Sequence, residues 1–263
     1  MNDVSPPKAD PALSMIQRIH AVDTDHVWHW LRLGWRDYIH SGWIGPLYGA
    51  VFAAIGLFIV FGLAWFGWPY LITPMIGGFL LIGPLSALGF YGLSSHLEKG
   101  DGPHWRHLYQ AWRANTCHIM TAGLVLMLVV MIWARLSIVL FALFFPYQSM
   151  SLDSFVAQSA TMAGISFTLF MLALGAGVAA LVFVTTVVAL PMMLDVKTDI
   201  FTAALVSTLV VFKNPKPMAL WATTIAVVTG IGLLPAFLGL TVALPVIGHA
   251  SWHAYRDLVG DSA

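Results

Sequence analysis

Long apolar segments dominate the sequence and constrain the fold more than any other feature. Each is close to the roughly 20 residues that a helix needs to cross the hydrocarbon of a bilayer. We predict six crossings, at residues 44–66, 70–95, 118–144, 160–192, 217–233 and 235–255. The last two form one apolar block that is broken at residues 230–235 ("GIGLLP"), so a five-crossing chain is the alternative.

The composition fits a chain that lies in a membrane. Of the 263 residues, 59% are hydrophobic and 9% are charged, whereas soluble domains carry about 25% charged residues. Zero net charge and the lack of a lysine or arginine run argue against nucleic acid as a partner. The single cysteine, Cys117, excludes an internal disulfide and a cysteine-based metal site. We expect no cleavable signal peptide, because the first apolar run is longer than a signal core.

The distribution of lysine and arginine predicts the orientation. With six crossings, eleven of the twelve basic residues fall on one side of the membrane. The positive-inside rule makes that side cytoplasmic, so both termini are predicted to be cytoplasmic. A five-crossing chain would move only Arg256 to the other side.

Arg135 is the exception, because it lies within the third predicted crossing. An unpaired arginine in the hydrocarbon costs several kcal/mol unless it pairs or reaches the headgroups. Asp153 follows in the next loop and is the only acid predicted on the non-cytoplasmic side. We therefore predict an Arg135–Asp153 pair. The alternatives are contact of Arg135 with outer-leaflet phosphates, or a substrate or lipid site.

Two similar segments indicate an internal repeat. Residues 27–37 ("VWHWLRLGWRD") and 104–114 ("HWRHLYQAWRA") align at a shift of 77, which places Trp35 on Trp112. Both have the spacing of an amphipathic helix with tryptophan at the membrane boundary. Each even-numbered crossing contains a proline that can kink it; these prolines are Pro84, Pro191 and Pro245.

The predicted fold is therefore an all-α, polytopic membrane helix bundle. Its six transmembrane helices form three hairpins, each preceded by an amphipathic interfacial helix. We predict a disordered cytoplasmic N-terminus and a single integral membrane domain made of three repeat units; the ranges are 1–20 for the N-terminus, 21–260 for the domain, and about 21–98, 101–194 and 198–258 for the units.

The ten histidines invite a metal or haem interpretation. Most lie in segments predicted to be cytoplasmic, where hydrogen bonds with water, carbonyls or phosphate are the simpler explanation. His249 and His253 are one helical turn apart and are weak metal candidates, without an accompanying HExxH motif. We predict no catalytic residue, no cofactor and no established metal site.

Two further motifs have structural interpretations. The glycine pattern at residues 175–180 ("GAGVAA") lies in a predicted crossing and lacks the strand of a dinucleotide site, so it indicates close helix packing. Asp199 or Thr198 is expected to cap the helix that follows.

Several segments together resemble a known family; they are "GFLLIGPLSALGFYGLSSHLEKGD", "PMMLD", "NPKPMALW" and "LPVIGHASWHAYRDLVG". The chain is similar over residues 20–260 to an uncharacterised bacterial family, mainly alphaproteobacterial, of predicted integral membrane proteins. The resemblance implies the bacterial inner membrane and no established activity. Some members are labelled cytochrome c oxidase subunit I, but that catalysis requires histidines deep in several crossings, where this chain is apolar.

The sequence is compatible with three functions. The favoured one is a non-enzymatic accessory or scaffold subunit of a membrane complex, whose partners are the lipid bilayer and other membrane proteins. The alternative is a small-solute or lipid permease, supported by the repeated prolines and Arg135. A haem- or metal-binding respiratory component is third. A polar cavity lined by Ser86, Thr185, Thr186 or Thr223 would favour the permease.

Overall fold

The computed structural model describes residues 15–68, 71–146 and 161–260. Within these ranges the chain is helical and contains no strand. The helices are α1 (Asp25–His40), α2 (Ile44–Trp65), α3 (Ile72–Leu81), α4 (Gly83–Ser86), α5 (Leu88–Glu98), α6 (Trp105–Ala114), α7 (Thr116–Phe144), α8 (Met162–Thr186), α9 (Ala189–Asp195), α10 (Ile200–Lys213), α11 (Pro215–Leu233) and α12 (Leu240–Val259).

Four helical segments of the described chain are long and apolar enough to cross a membrane; they are Ile44–Trp65, Thr116–Phe144, Met162–Asp195 and Pro215–Leu233. A fifth candidate consists of Pro74–Leu81 and Gly83–Glu98, which meet at an angle of 48°. The protein is thus an all-helical membrane protein with four or five candidate spans. A sixth crossing is not confirmed, because α12 carries polar residues from His249 onward and is not among the segments apolar enough to span.

The second predicted crossing is broken rather than continuous. Pro84 occupies the first turn of the short helix α4, directly after the break at Ile82. Proline has no amide hydrogen to donate to the preceding turn, so it favours a break at this position. The hydroxyl of Ser86 donates to the carbonyl of Gly83 at 2.6 Å within α4.

A second break separates α8 from α9 and is bridged by a neighbouring helix. The hydroxyl of Ser207, which is buried in α10, donates to the carbonyl of Val184 at 2.8 Å and accepts from the amide of Val188 at 3.2 Å. Pro191 follows within α9. A side chain from another helix thus satisfies backbone groups that the break leaves without helical partners.

Helix α12 packs closely against both α1 and α2. A Cβ added at Gly34 of α1 would lie 2.6 Å from the carbonyl oxygen of Val246. One added at Gly49 of α2 would lie 3.1 Å from the ring of Pro245, which lies inside α12. The missing side chains of these two glycines therefore allow the backbones to approach.

The ends of α11 and α12 meet beside the segment that precedes α1. The amide of His20 donates to the carbonyl of Leu258 at 2.9 Å. The side chain of Asn214 accepts from the amide of Val22 at 2.9 Å and donates to the carbonyl of His20 at 3.0 Å. The start of α11 and the end of α12 therefore both contact one short segment.

The largest hydrophobic core lies where α1, α9, α10, α11 and α12 meet. At its centre the rings of Trp30 and Trp221 pack edge to face, with centroids 5.8 Å apart. A smaller core lies between α7 and α8 around Trp133, whose indole nitrogen donates to the carbonyl of Pro74 at 2.9 Å. The main core therefore lies beside α1, and the long helix α2 contributes no buried residue to it.

Candidate functional site

A buried polar cluster joins α1, α5 and α12. The hydroxyl of Ser94 donates to Oδ2 of Asp37 at 2.8 Å and lies 2.7 Å from Nδ1 of His249. The Nε2 atom of His253 lies 2.7 Å from the same carboxylate oxygen. Asp37 is 4% exposed, and Ser94 and His249 are fully buried. We call these four residues the Asp37 cluster.

Helical spacing explains how the sequence brings this cluster together. Val27, Trp30, Gly34 and Asp37 form the buried face of α1. The two histidines are one turn apart on α12, so both face α1 and α5. The carboxylate therefore occupies an otherwise apolar face, where it requires hydrogen-bond donors.

Hydrogen bonds determine the charge of Asp37. Burial alone would raise the pKa of this carboxyl, but the hydrogen bond and charge of His253 and the hydrogen bond from Ser94 hold the pKa below its ordinary value. Asp37 is therefore ionised at neutral pH and anchors α1 to both partner helices.

The cluster contains the residue types of a hydrolytic triad but not its arrangement. In a triad the histidine stands between the serine and the carboxylate. Here Ser94 stands between Asp37 and His249, and its proton is donated to the carboxylate. Because all three residues are buried, a substrate has no access to the hydroxyl. The Asp37 cluster is thus a structural junction.

A second polar network joins the end of α12 to α5 and α9. Arg256 contacts Glu98 of α5 at 3.2 Å and Asp195 of α9 at 3.5 Å. The indole nitrogen of Trp252 donates to Glu98 at 3.0 Å, and the hydroxyl of Tyr255 donates to Asp195 at 2.8 Å. The two carboxylates thus join the ends of three helices.

A group of histidines lies beside this network. Nδ1 of His96, at the end of α5, is 2.8 Å from Oδ2 of Asp101. The His96 ring stacks on that of His107 in α6, with centroids 3.8 Å apart and planes 7° from parallel. The hydrogen bond from His96 lowers the pKa of Asp101. Burial lowers the pKa of His107, and the nearby charge of His96 acts in the same direction, so His107 is neutral at neutral pH.

The structure places Arg135 on the exposed surface of α7, without a hydrogen bond or ion pair to any residue in the described ranges. Asp153, its predicted partner, lies outside the described residues. The predicted pair therefore stays a prediction.

The other predicted site residues are dispersed. Pro84 and Pro191 lie next to the two helix breaks, and Pro245 lies within α12. Trp35 is 50% exposed on α1 and Trp112 is 37% exposed on α6. The structure does not bring these residues together into one site.

One predicted helix cap is confirmed. The carboxylate of Asp199 accepts from the amides of Phe201 at 2.9 Å and Thr202 at 3.0 Å. The hydrogen bond of the Thr202 side chain, together with these amide hydrogen bonds, lowers the pKa of Asp199. The residue therefore stabilises the start of α10.

Asp37 and Ser94 were not predicted as site residues. A signal for Asp37 is present in the sequence, because the residue falls in register with Val27, Trp30 and Gly34 on one helical face. An acid on an apolar face predicts a buried polar partner. Ser94 has no comparable local signal, since its partners are 57 and 155 residues away in the chain.

Comparisons with known proteins support the membrane assignment. No curated protein and no solved structure matches the chain. Residues 71–195, which span α3 to α9, match the model of the family described as "Predicted integral membrane protein (DUF2189)", so the chain is similar to that family across its second, third and fourth apolar segments.

Proposed function

We propose that this protein is a non-enzymatic, multi-pass subunit that supports a complex in the bacterial inner membrane. The observation that carries the proposal is the exposed surface of the span Met162–Asp195. This span has 34 residues, and only 11% of its most apolar window is buried within the chain. Its surface is therefore available to lipid or to helices of other proteins.

Small residues on α8 favour a protein partner for part of this surface. Ala173, Ala176, Gly177 and Ala180 are exposed and follow the spacing of one helical face. Gly177 has no atom within 4 Å of the position that a Cβ would occupy. Small residues at this spacing let another membrane helix approach closely. By contrast, a Cβ added at Gly175 would lie 3.1 Å from the ring of Trp133.

The hydroxyl groups that would favour transport are engaged locally. Ser86, Thr185, Thr186 and Thr223 each donate a hydrogen bond to a carbonyl of their own helix. A hydroxyl that is satisfied in this way contributes less to a polar path for a solute. This observation favours an accessory subunit over a permease.

The proposal includes six crossings arranged as three hairpins, with both termini in the cytoplasm. Contacts between Arg256, Glu98 and Asp195 at 3.5 Å or less support a common side for these residues, because the hydrocarbon is about 30 Å thick. The positive-inside rule then favours the cytoplasm. In this layout α1, α6 and α10 precede the three hairpins as repeated interfacial helices.

The test compares Gly177→Leu with Gly230→Leu. Gly230 lies on α11, is also exposed and also has no atom within 4 Å of an added Cβ. Neither leucine meets a clash within the chain, so both variants should accumulate in the membrane. Native electrophoresis of mildly solubilised membranes measures the mass of the complex. A photo-crosslinking residue at Ala176 or at Gly230 measures which face contacts a protein.

We expect wild type and Gly230→Leu to migrate in a complex larger than one chain, and Gly177→Leu to lose it. Crosslinking should occur at position 176 and not at 230. A wild-type protein that migrates as a single chain would refute the proposal. So would a complex that is unaffected by Gly177→Leu.

A further inference from the structure

His96, Asp101 and His107 contain the donor atoms of a metal site. One potential ligand atom from each residue lies within 4.8 Å of those of the other two. His96 and His107 line a cleft of about 300 Å³ between α5, α6 and α9, to which Gln110 and Asp195 also contribute. The Asp37 cluster does not share these residues, so the two groups are independent.

His107 supplies a second, independent indication. Its side chain is fully buried, and its Nδ1 atom has no hydrogen-bond partner among the described residues. A buried polar atom without a partner costs about 1–3 kcal/mol. A metal ion bound at Nδ1 would remove this cost, with the ring proton carried by Nε2 instead.

The donor set defines the class of ligand. Two imidazoles and one carboxylate are typical ligands of zinc and of similar divalent first-row metals. The only cysteine, Cys117, is not in the group, so the site contains no thiolate. Three protein ligands leave a fourth position of a tetrahedral ion open to water.

We propose that His96, Asp101 and His107 bind a divalent zinc-type metal ion at the loop between α5 and α6. Binding requires one local change, because nitrogen lone pairs of parallel stacked rings point in parallel directions and do not converge. The side chain of His96 is 29% exposed and can turn, whereas His107 is fixed by burial. The loop that carries Asp101 contains Gly100 with a φ of 80° and the exposed residue Gly102.

Two cations near the site can withdraw from the metal. Arg106 donates a long hydrogen bond of 3.4 Å to Nε2 of His107. Arg106 is exposed, so its side chain can turn toward water when the metal binds. Lys99 lines the cleft and is also exposed.

The test uses untagged full-length protein in detergent, freed of metal with a chelator and titrated with Zn²⁺ by calorimetry. We expect one ion per chain. Asp101→Asn and His107→Gln should each weaken binding by at least about 10–100-fold, the loss seen even when only a residue behind a metal ligand is removed. X-ray absorption should place nitrogen or oxygen ligands at about 2.0–2.1 Å.

His29→Gln is the matched control, because His29 is an exposed histidine of α1 outside the group. It should bind Zn²⁺ as wild type does. Asp101 is exposed, so Asp101→Asn tests the site even if His107→Gln fails to fold. No stoichiometric Zn²⁺ binding by wild type, or equal binding by wild type and Asp101→Asn, would overturn the proposal.

Discussion

At the scale of single residues, the Asp37 cluster shows how one acid organises a helix junction. A carboxylate on the buried face of α1 would destabilise the fold if it had no hydrogen-bond partner. Ser94 and His253 each place a hydrogen-bonding atom within 2.8 Å of it. Asp37 thus contributes to the stability of the fold. It also selects one packing register of α1 against α12, the one in which its carboxylate is hydrogen-bonded.

Replacing Asp37 with asparagine should lower the free energy of unfolding by about 1–3 kcal/mol, because buried groups would lose a charged acceptor. The folded-state pKa of Asp37 is lowered. Its contribution is therefore complete above the ordinary pKa of aspartate and declines as the pH falls through the lowered folded-state value. Thermal unfolding in detergent across acidic pH measures both effects.

Asp25→Asn is the control for this change, since Asp25 lies on the same helix and is exposed. It should unfold near the wild-type temperature. Equal unfolding temperatures for Asp37→Asn and Asp25→Asn, or an unchanged acid response in Asp37→Asn, would show that the junction does not depend on the carboxylate.

At the scale of helices, apolar runs predicted the helix boundaries well where most of the helix surface is exposed. The predicted segments 44–66 and 118–144 correspond to Ile44–Trp65 and Thr116–Phe144. The hydrophobic run alone decides these ends, because a lipid-facing helix begins and ends with its apolar residues. The cap at Asp199 was equally predictable from the sequence, since capping involves only neighbouring residues.

Tertiary contacts decided what local pattern could not. Partners of the Asp37 cluster are separated by up to 216 residues. Hydropathy and periodicity indicate which secondary structure a segment prefers. Neither identifies the distant side chain that hydrogen-bonds a buried group.

The break between α8 and α9 offers a test at this scale. Ser207→Ala removes the hydroxyl that hydrogen-bonds Val184 and Val188, so one partly buried carbonyl and one buried amide lose a partner. We expect a loss of about 1–3 kcal/mol in the free energy of unfolding. Denaturant titration in mixed micelles measures it.

Thr208→Ala is the matched control for Ser207→Ala. Thr208 is the next residue on α10, and its hydroxyl donates only to Ala204 of the same helix, at 2.8 Å. That carbonyl keeps its helical hydrogen bond after the change. If both alanine variants unfold alike, Ser207 does not stabilise the break.

At the scale of the whole molecule, polar contacts between described residues join segments that lie far apart in the chain. Arg256 joins Glu98 and Asp195, and Asn214 joins the segment before α1. These residues come from every segment predicted to be cytoplasmic. The charge asymmetry of the sequence and these contacts thus support the proposed arrangement, in which a polar junction joins the segments predicted to be cytoplasmic.

This arrangement predicts the accessibility of three single cysteines in a Cys117→Ser background: Gly102→Cys, Leu234→Cys and Ser262→Cys. Gly102 is exposed beside α6, and Leu234 is 82% exposed at the tip of the α11–α12 hairpin. Position 262 follows α12 and lies outside the described residues.

A membrane-impermeant maleimide should label positions 102 and 262 in inverted vesicles only. It should label position 234 in right-side-out vesicles only, because the hairpin crosses the membrane completely. Positions 102 and 262 labelled from opposite sides would refute the common side. A cysteine at 234 that reacts from neither side, or from the cytoplasmic side alone, would make α11 and α12 a re-entrant hairpin and reduce the number of complete crossings to four.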